Sequence, residues 1–125
     1  MIANYVDRYK DLKIKINNLE ELYDREIRLV VVSKTQNFEK IKTLNNLGQK
    51  DFGENYVDEA HEKINALQNS NIRWHFIGKI QSNKIKLICS LFDWVHTVSS
   101  EKHIKKINAI CKNIKKVMNV CIQIN

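Results

Sequence analysis

Leu29-Val30-Val31-Val32-Ser33-Lys34 decides the fold of this chain, because an apolar, β-branched run ends there in a lysine and a polar turn. A run that is apolar at successive positions is typical of a central strand in a parallel sheet, buried on both faces. Parallel sheets bind ligands at the carboxyl ends of their strands. Lys34 is predicted to lie at such an end, where partial burial favours the neutral amine that forms a Schiff base with an aldehyde. The alternative is a structural lysine that extends from the strand end into solvent.

Helix and strand patterns alternate along the rest of the chain. Apolar residues recur at three- and four-residue steps between Ile2 and Tyr23, which predicts a long amphipathic N-terminal helix. Gly48 is predicted to end the second helix in a left-handed conformation. The residues expected to begin the later helices are Asn37, Asn55, Ser82, and Ser99 or Ser100. Five strands are predicted, over residues 27–34, 49–52, 73–77, 93–98 and 117–124.

This alternation predicts a parallel sheet with right-handed crossovers, in either a doubly wound sheet or a barrel. The three glycines form neither a dinucleotide fingerprint nor a phosphate-binding P-loop, which favours the barrel. A complete eight-unit barrel usually needs ~250 residues, whereas the chain has five units in 125 residues. The sequence therefore predicts an α/β fold, a partial (β/α)8 TIM-type barrel of five parallel β/α units preceded by an N-terminal helix. Residues 1–125 are expected to form a single domain, the truncated N-terminal part of such a barrel.

The net charge of +7 lies entirely in the last third of the chain. Residues 1–78 carry 12 basic and 12 acidic side chains, whereas residues 79–125 carry 9 basic and 2 acidic ones. Most of the excess belongs to a predicted helix between Ser100 and Lys116, which could contact nucleic acid or a membrane surface. This helix lacks interleaved aromatic or arginine residues, so a solvated helix face is the favoured interpretation.

The cysteines and histidines indicate neither a disulfide framework nor a metal site. Cys89, Cys111 and Cys121 are widely spaced among apolar residues, which is typical of buried thiols in a reducing compartment. The N-terminus is charged within its first ten residues and no long apolar run follows it, so neither a signal peptide nor a membrane span is expected. A cytoplasmic location is therefore the expectation.

Three segments match the motifs of one protein family in their order and spacing. They are Val32-Ser33-Lys34-Thr35, Phe52-Gly53-Glu54-Asn55-Tyr56-Val57, and Trp74-His75-Phe76-Ile77-Gly78 followed by Gln81-Ser82-Asn83-Lys84. With these motifs the chain resembles the pyridoxal-phosphate homeostasis proteins, single-domain relatives of the alanine racemase barrel. The resemblance implies a barrel roughly twice as long as this chain. It also implies that Lys34 binds pyridoxal 5′-phosphate (PLP) as a Schiff base, with no catalytic residue and no assigned reaction.

Asn55, His75 and Gly78 are further candidate cofactor contacts, because Asn55 follows a predicted strand end, His75 lies on the third strand where it could face the barrel mouth, and Gly78 allows a close backbone approach. Each has a structural alternative: Asn55 as a helix cap, His75 as a hydrogen-bonded interior residue, and Gly78 as a turn. Ser82 is expected to cap a helix or to offer a substitute anion site at the helix N-terminus. Gln36 departs from the family, in which a second lysine is common just after the motif.

Three functions are compatible with these patterns. The first is PLP binding for intracellular cofactor homeostasis, with PLP-dependent apoenzymes as acceptors. Such barrels bind phosphate with the loops after their last two strands, so a chain of five strands is expected to retain PLP weakly. The second is a racemase-like PLP enzyme, which needs an acid–base group opposite the lysine that no residue here is assigned to supply. The third is nucleic-acid contact through the basic helix. Self-association through open strand edges is also expected.

Overall fold

The computed structural model describes residues 4–125 and contains one sheet of five parallel strands. In chain order the elements are α1 Asn4–Tyr23, β1 Val31–Val32, α2 Phe38–Asn46, β2 Asp51–Glu54, α3 Val57–Ala66, β3 Arg73–Phe76, α4 Ile85–Leu91, β4 Trp94–Val98, α5 Glu101–Asn113 and β5 Asn119–Ile122. The strands lie side by side in chain order. A doubly wound sheet reverses its strand order at a switch point, so the unreversed order confirms the predicted barrel-type arrangement. Ile2, where the first helix was predicted to begin, lies outside the described residues.

The first strand differs from its prediction. Only two residues form β1, and Val32 is 49% exposed, although the apolar run predicted a central strand buried on both faces. The reason is that β1 lies at an edge of the sheet, where within residues 4–125 it pairs only with β2. The last strand is shorter than predicted for the same reason, since β5 lies at the opposite edge. β2 begins at Asp51, two residues later than predicted.

The helices pack against one face of the sheet and form the core with it. Phe52 of β2, Phe76 of β3 and Val95 of β4 are fully buried there, and the rings of Phe76 and Phe92 lie 5.3 Å apart. The helices α2 to α5 contribute Ile41, Leu44, Val57, Ala60, Ile85, Ile88, Ile107 and Cys111 to the same cluster. Because this packing holds the helices behind the strands, it also fixes the loops at the carboxyl ends of the strands.

Several predictions about helix ends are confirmed. The Asn37 side chain accepts a hydrogen bond from Lys40 N at 3.2 Å and caps α2. Ser100 caps α5 by accepting a hydrogen bond from His103 N at 3.1 Å. Gly48 follows α2 with a φ of +106°, the left-handed conformation expected of a helix stop.

The predicted burial of the cysteines is confirmed at Cys89 and Cys111, whereas Cys121 is partly exposed. Burial and the neighbouring Cys111 thiol raise the pKa of the Cys89 thiol to about 12. Cys89 therefore stays protonated near neutral pH and packs as a small apolar residue.

The basic helix α5 presents its lysines to solvent while Ile107 and Cys111 pack into the core. Lys105 pairs with Glu101 one turn earlier at 2.9 Å, and Lys106 donates to a backbone carbonyl at 2.8 Å. This arrangement agrees with a solvated helix face. Among the helices of residues 4–125, none combines the length and the apolarity that a membrane crossing requires.

Candidate functional site

Lys34 lies in the turn that follows β1. Ser33 N donates to Gly53 O at 2.9 Å, so pairing with β2 continues one residue beyond the strand. Gln36 N then donates to Ser33 O at 3.1 Å and closes the turn. Lys34 thus lies at the carboxyl end of its strand, as predicted. The predicted partial burial of Lys34 is wrong, because an edge strand leaves this residue exposed.

A buried ion cluster contacts this turn from β2 and α3. Lys63 Nζ donates to Ser33 O at 2.7 Å and to the two carboxylate oxygens of Glu54 at 2.9 and 3.1 Å. It also donates to Glu59 Oε1 at 3.0 Å. Ser33 Oγ donates to Glu54 Oε2, and Thr35 N donates to the two Glu59 oxygens at 2.5 and 3.3 Å. The turn that bears Lys34 is therefore hydrogen-bonded to both β2 and α3.

Glu59 is ionised in this cluster. Burial raises the pKa of its carboxyl group, but hydrogen bonds from Lys63 and Thr35 N outweigh burial and hold the pKa of Glu59 below its ordinary value. The sequence analysis did not single out Glu54, Glu59 or Lys63. One signal was available, because Lys63 falls on the face of α3 that Val57 and Ala60 bury, where an unpaired charge would be costly.

The loops after β2 and β3 touch at Gly78. A Cβ atom here would lie 2.0 Å from the Asn55 carbonyl oxygen, so only glycine allows the two backbones to come this close. Thr97 Oγ1 donates to Gly78 O at 2.6 Å and links the end of β4 to the same point. Asn55 is not the helix cap that the sequence suggested. Tyr56 is still extended and occupies the N-cap position of α3, so the helix begins one residue later.

The Asn55 side chain has an unused hydrogen-bond acceptor. Its Oδ1 is buried and has no hydrogen-bond partner among residues 4–125. Such atoms are rare in native proteins, because leaving a buried acceptor unpaired is costly. Asn55 and Gly78 line a cavity of about 320 Å³ whose wall also includes Lys79, Gln81 and Lys84. Asp58 lies on the same wall and pairs with Lys84 at 3.0 Å, so Lys79 is the cation to which a ligand would bring a negative charge. A ligand that carries such a charge and also brings an N–H or O–H group to Asn55 fits these residues.

His75 lies in a different environment. Its Nε2 is 2.8 Å from Asp51 Oδ1, and its Nδ1 is 2.8 Å from His96 Nε2. Arg73 donates to both oxygens of Asp51 at 2.8 and 2.7 Å. Because side chains alternate along a strand, Asp51 and His75 lie on the face opposite the buried Phe52. His75 is thus a buried, hydrogen-bonded residue, which is the structural alternative weighed for it.

The charges in this second cluster are set by burial and by neighbouring groups. Burial raises the pKa of Asp51, but the hydrogen bonds from Arg73 and His75 outweigh burial and hold the pKa of Asp51 below its ordinary value. Burial and the proximity of His75 lower the pKa of His96. The cluster is therefore an anion, Asp51, held by a guanidinium group and an imidazole ring.

Ser82 does not cap a helix, contrary to its prediction. A single 3₁₀ turn, Ser82–Lys84, leads into α4, and Gln81 occupies its N-cap position. The Ser82 hydroxyl lies 3.1 Å from His103 Nε2, and the Ser82 carbonyl accepts from Lys106 Nζ at 2.8 Å. The hydroxyl therefore contacts α5. Of the sequence-predicted site residues, Asn55 and Gly78 touch, Lys34 lies at the end of an outer strand, and His75 lies on the other face of the sheet.

Comparisons with known proteins agree with this arrangement. The family model described as the N-terminal domain of alanine racemase matches residues 9–125. A pyridoxal phosphate homeostasis protein of Buchnera aphidicola subsp. Schizaphis graminum is 45% identical over 102 residues, covering 81% of this chain and 44% of the relative. One of Pasteurella multocida is 46% identical over 101 residues, covering 79% of this chain and 43% of the relative. The chain thus spans less than half the length of these two curated relatives.

A solved structure shows the same fold. The structure of PipY from Synechococcus elongatus PCC7942 with PLP bound superimposes with a TM-score of 0.76 and is 30% identical. The match covers 88% of this chain and 54% of PipY. The strand order seen here therefore corresponds to about half of a protein whose solved structure contains PLP.

Proposed function

The chain belongs to the family of the alanine racemase N-terminal domain, and we propose that it binds PLP as a Schiff base at Lys34 for intracellular cofactor homeostasis. The resemblance drawn from the three sequence segments is confirmed by this membership and by the names of the relatives. The observation that carries the proposal is the position of Lys34, an exposed primary amine at the carboxyl end of a barrel strand. PLP-dependent apoenzymes are the acceptors that this function implies.

The proposal uses the aldehyde of PLP. When the cofactor is present, its aldehyde carbon forms a C=N bond with a primary amine, and the aldehyde oxygen leaves as water. Lys34 supplies the amine, and its exposure gives the aldehyde access to it. Asn55 and Gly78 are the proposed contacts from the neighbouring strand ends, because one offers an unpaired acceptor and the other a close backbone approach.

The other parts of the proposal rest on less specific observations. We propose that residues 1–125 form one domain, because a single apolar cluster joins β2 to β4 with α2 to α5. His75 was a predicted cofactor contact, and both of its ring nitrogens are already within hydrogen-bond distance of protein atoms. We therefore propose that His75 supports the sheet beneath the site, through Asp51 and His96.

Replacing Lys34 with alanine is expected to remove most of the site-specific PLP binding of the chain. PLP is added to the purified protein, the absorbance band of the Schiff base is recorded, and borohydride reduction followed by peptide mapping locates the attached lysine. The apparent affinity of Lys34→Ala is expected to be weaker by about tenfold or more, since the covalent bond is lost. Lys50→Ala removes an exposed lysine at the opposite end of β2 and is expected to behave as the parent. Equal PLP binding by the parent and Lys34→Ala would show that Lys34 is only one reactive surface amine among many.

Binding without catalysis is the proposed role. Racemisation requires an acid–base group on the cofactor face opposite the lysine, whereas the ionisable side chains at the turn of Lys34, those of Glu54, Glu59 and Lys63, bind one another and the backbone of the turn. We therefore expect the PLP-loaded chain to exchange the α-proton of alanine in D2O no faster than free PLP. Deuterium incorporation at alanine Cα that exceeds the free-PLP rate and disappears in Lys34→Ala would instead establish an enzyme.

A further inference from the structure

The two peptide groups on either side of Lys34 are held by one cluster of charged residues. The carbonyl of the peptide before it, Ser33 O, accepts a hydrogen bond from Lys63 Nζ at 2.7 Å. The N–H of the peptide after it, Thr35 N, donates to Glu59 Oε1 at 2.5 Å. Lys63 and Glu59 are themselves joined at 3.0 Å. The backbone of Lys34 is thus fixed at both ends by α3.

Glu54 and Lys63 are buried charged groups, and this makes their placement informative. The Glu54 side chain has no exposed surface and that of Lys63 is 8% exposed. Taking an ion pair out of water is costly, and an apolar pair of similar size often stabilises a fold as well or better. A buried pair whose ammonium group also binds the carbonyl of Ser33 restrains the position of that carbonyl. An apolar replacement could not do this.

The turn needs such a restraint. Thr35 has a φ of +62°, a left-handed conformation that is unfavourable for a β-branched residue. Strained backbone conformations persist where surrounding groups hold them, and they are concentrated at functional sites. Thr35 Oγ1 donates to Lys34 O at 2.6 Å within the turn, and the charged hydrogen bond from Thr35 N to Glu59 holds the residue from α3.

We infer that Glu54, Glu59 and Lys63 are positioning residues, which fix the turn around Lys34 so that its amine is presented in one direction for Schiff-base formation with PLP. The inference rests on the proposed function of Lys34. None of the three side chains is required to touch the cofactor, since they lie behind the turn and act through Ser33 and Thr35. Without them the turn would lose order before binding, and the entropy lost in ordering it would weaken the binding of PLP.

Glu59 is the residue to change, because its side chain is 28% exposed and its removal leaves the Glu54–Lys63 pair in place. Glu59→Ala removes the acceptor of Thr35 N and is expected to weaken PLP attachment at Lys34 by about tenfold. Glu59→Gln keeps an oxygen that can accept from both Thr35 N and Lys63, and is expected to restore most of the attachment. Glu62→Ala serves as the matched control, because it removes an exposed carboxylate from the same helix, α3, three residues after Glu59.

Three measurements are made on each variant. Amide exchange at Thr35, followed by NMR on the PLP-free chain, reports whether the turn is held. Borohydride trapping with peptide mapping reports PLP at Lys34, and urea unfolding reports overall stability. The inference predicts faster Thr35 exchange and weaker trapping in Glu59→Ala, and near-parent values in Glu59→Gln and Glu62→Ala. If Glu59→Ala acted only by lowering overall stability, urea unfolding would show the loss, and Thr35 exchange would not be the property that Glu59→Gln specifically restores.

The outcomes separate this inference from the function on which it rests. Glu59→Ala with parent-like trapping at Lys34 would overturn the positioning role, whatever its Thr35 exchange rate. Unchanged Thr35 exchange in Glu59→Ala would overturn it as well, because the turn would then be held by other groups. If the parent itself shows no PLP at Lys34, the proposed function fails and the positioning role falls with it. Trapping of PLP at Lys34 in the parent chain therefore tests the proposed function, and the comparison with the variants tests the positioning role.

Discussion

Gly78→Ala is expected to destabilise the chain by about 3 kcal/mol or more, at the upper end of overpacking costs. The added Cβ would lie 2.0 Å from the Asn55 carbonyl oxygen, and the next two nearest atoms, at 2.7 and 2.9 Å, also belong to the Asn55 backbone. A side chain could turn aside, but the backbone must move, and it is the backbone that leads from β2 into α3. The shift should also displace Asn55 from the cavity and weaken PLP binding. Urea unfolding measures the first effect and PLP titration the second.

The other two glycines of the chain are controls with different physical causes. At Gly48 an added Cβ would meet no atom within 4 Å, and only its φ of +106° is unfavourable, so Gly48→Ala is expected to cost about 1 kcal/mol. At Gly53 the nearest atom is the terminal Cδ1 of Ile77 at 3.0 Å, which can move aside, so the expected cost is below about 1.5 kcal/mol. A Gly78→Ala variant as stable as these two would show that the loops after β2 and β3 separate easily.

The sequence predicted features that depend on local patterns. Asn37, Gly48 and Ser100 were correctly assigned to helix ends, because capping and left-handed stops depend on a few adjacent residues. The alternation of strands and helices correctly predicted the parallel sheet, since parallel strands need a crossover connection. The position of Lys34 at a strand end followed from the same local pattern.

Features that depend on spatial neighbours were missed or wrong. The apolar run before Lys34 predicted a buried strand, but the pattern does not reveal which strand lies at an edge, so the exposure of Lys34 was not foreseen. The contact of Asp51 with His75 joins two strands 24 positions apart, and that of Lys63 with Ser33 spans 30 positions. No local spacing encodes such pairs. Asn55 was given a capping role because its residue type suits one, but the chain stays extended through Tyr56.

The clusters on the two faces of the sheet divide the polar residues by role. Glu54 points to the helix side and connects to the Lys34 turn, whereas Asp51, three residues earlier in the same strand, has side-chain contacts with Arg73 and His75 on the other face. Alternation along β2 thus separates a cluster that holds the candidate binding turn from one that links neighbouring strands. Substitution of Asp51 is accordingly expected to disturb the contacts between β2 and β3, whereas substitution of Glu54 is expected to disturb the turn that bears Lys34.

The 125-residue chain is expected to self-associate through an edge of its sheet, or else to be a monomer whose residues 117–125 are poorly protected. Within residues 4–125, β1 and β5 each pair on one side only, which leaves backbone N–H and C=O groups available to another chain. β5 is the more hazardous edge, because Val120, Cys121 and Ile122 form an apolar, uncharged run and Ile122 is 61% exposed. Sedimentation measures the association, and amide exchange measures the protection of the strand.

A charged residue on β5 should distinguish association through strand pairing at this edge from association through exposed apolar side chains in general. Ile122→Lys places a charge on β5 and is expected to shift the chain towards the monomer, since edge charges oppose strand pairing between molecules. Ile14→Lys is the matched control, because Ile14 is 59% exposed and lies on the helix α1 rather than on a strand. Equal effects of the two variants would indicate association through general surface apolarity. A compact parent monomer with slow exchange throughout residues 120–124 would contradict the expectation altogether, because an unpaired edge strand exchanges its outward-facing amides with solvent.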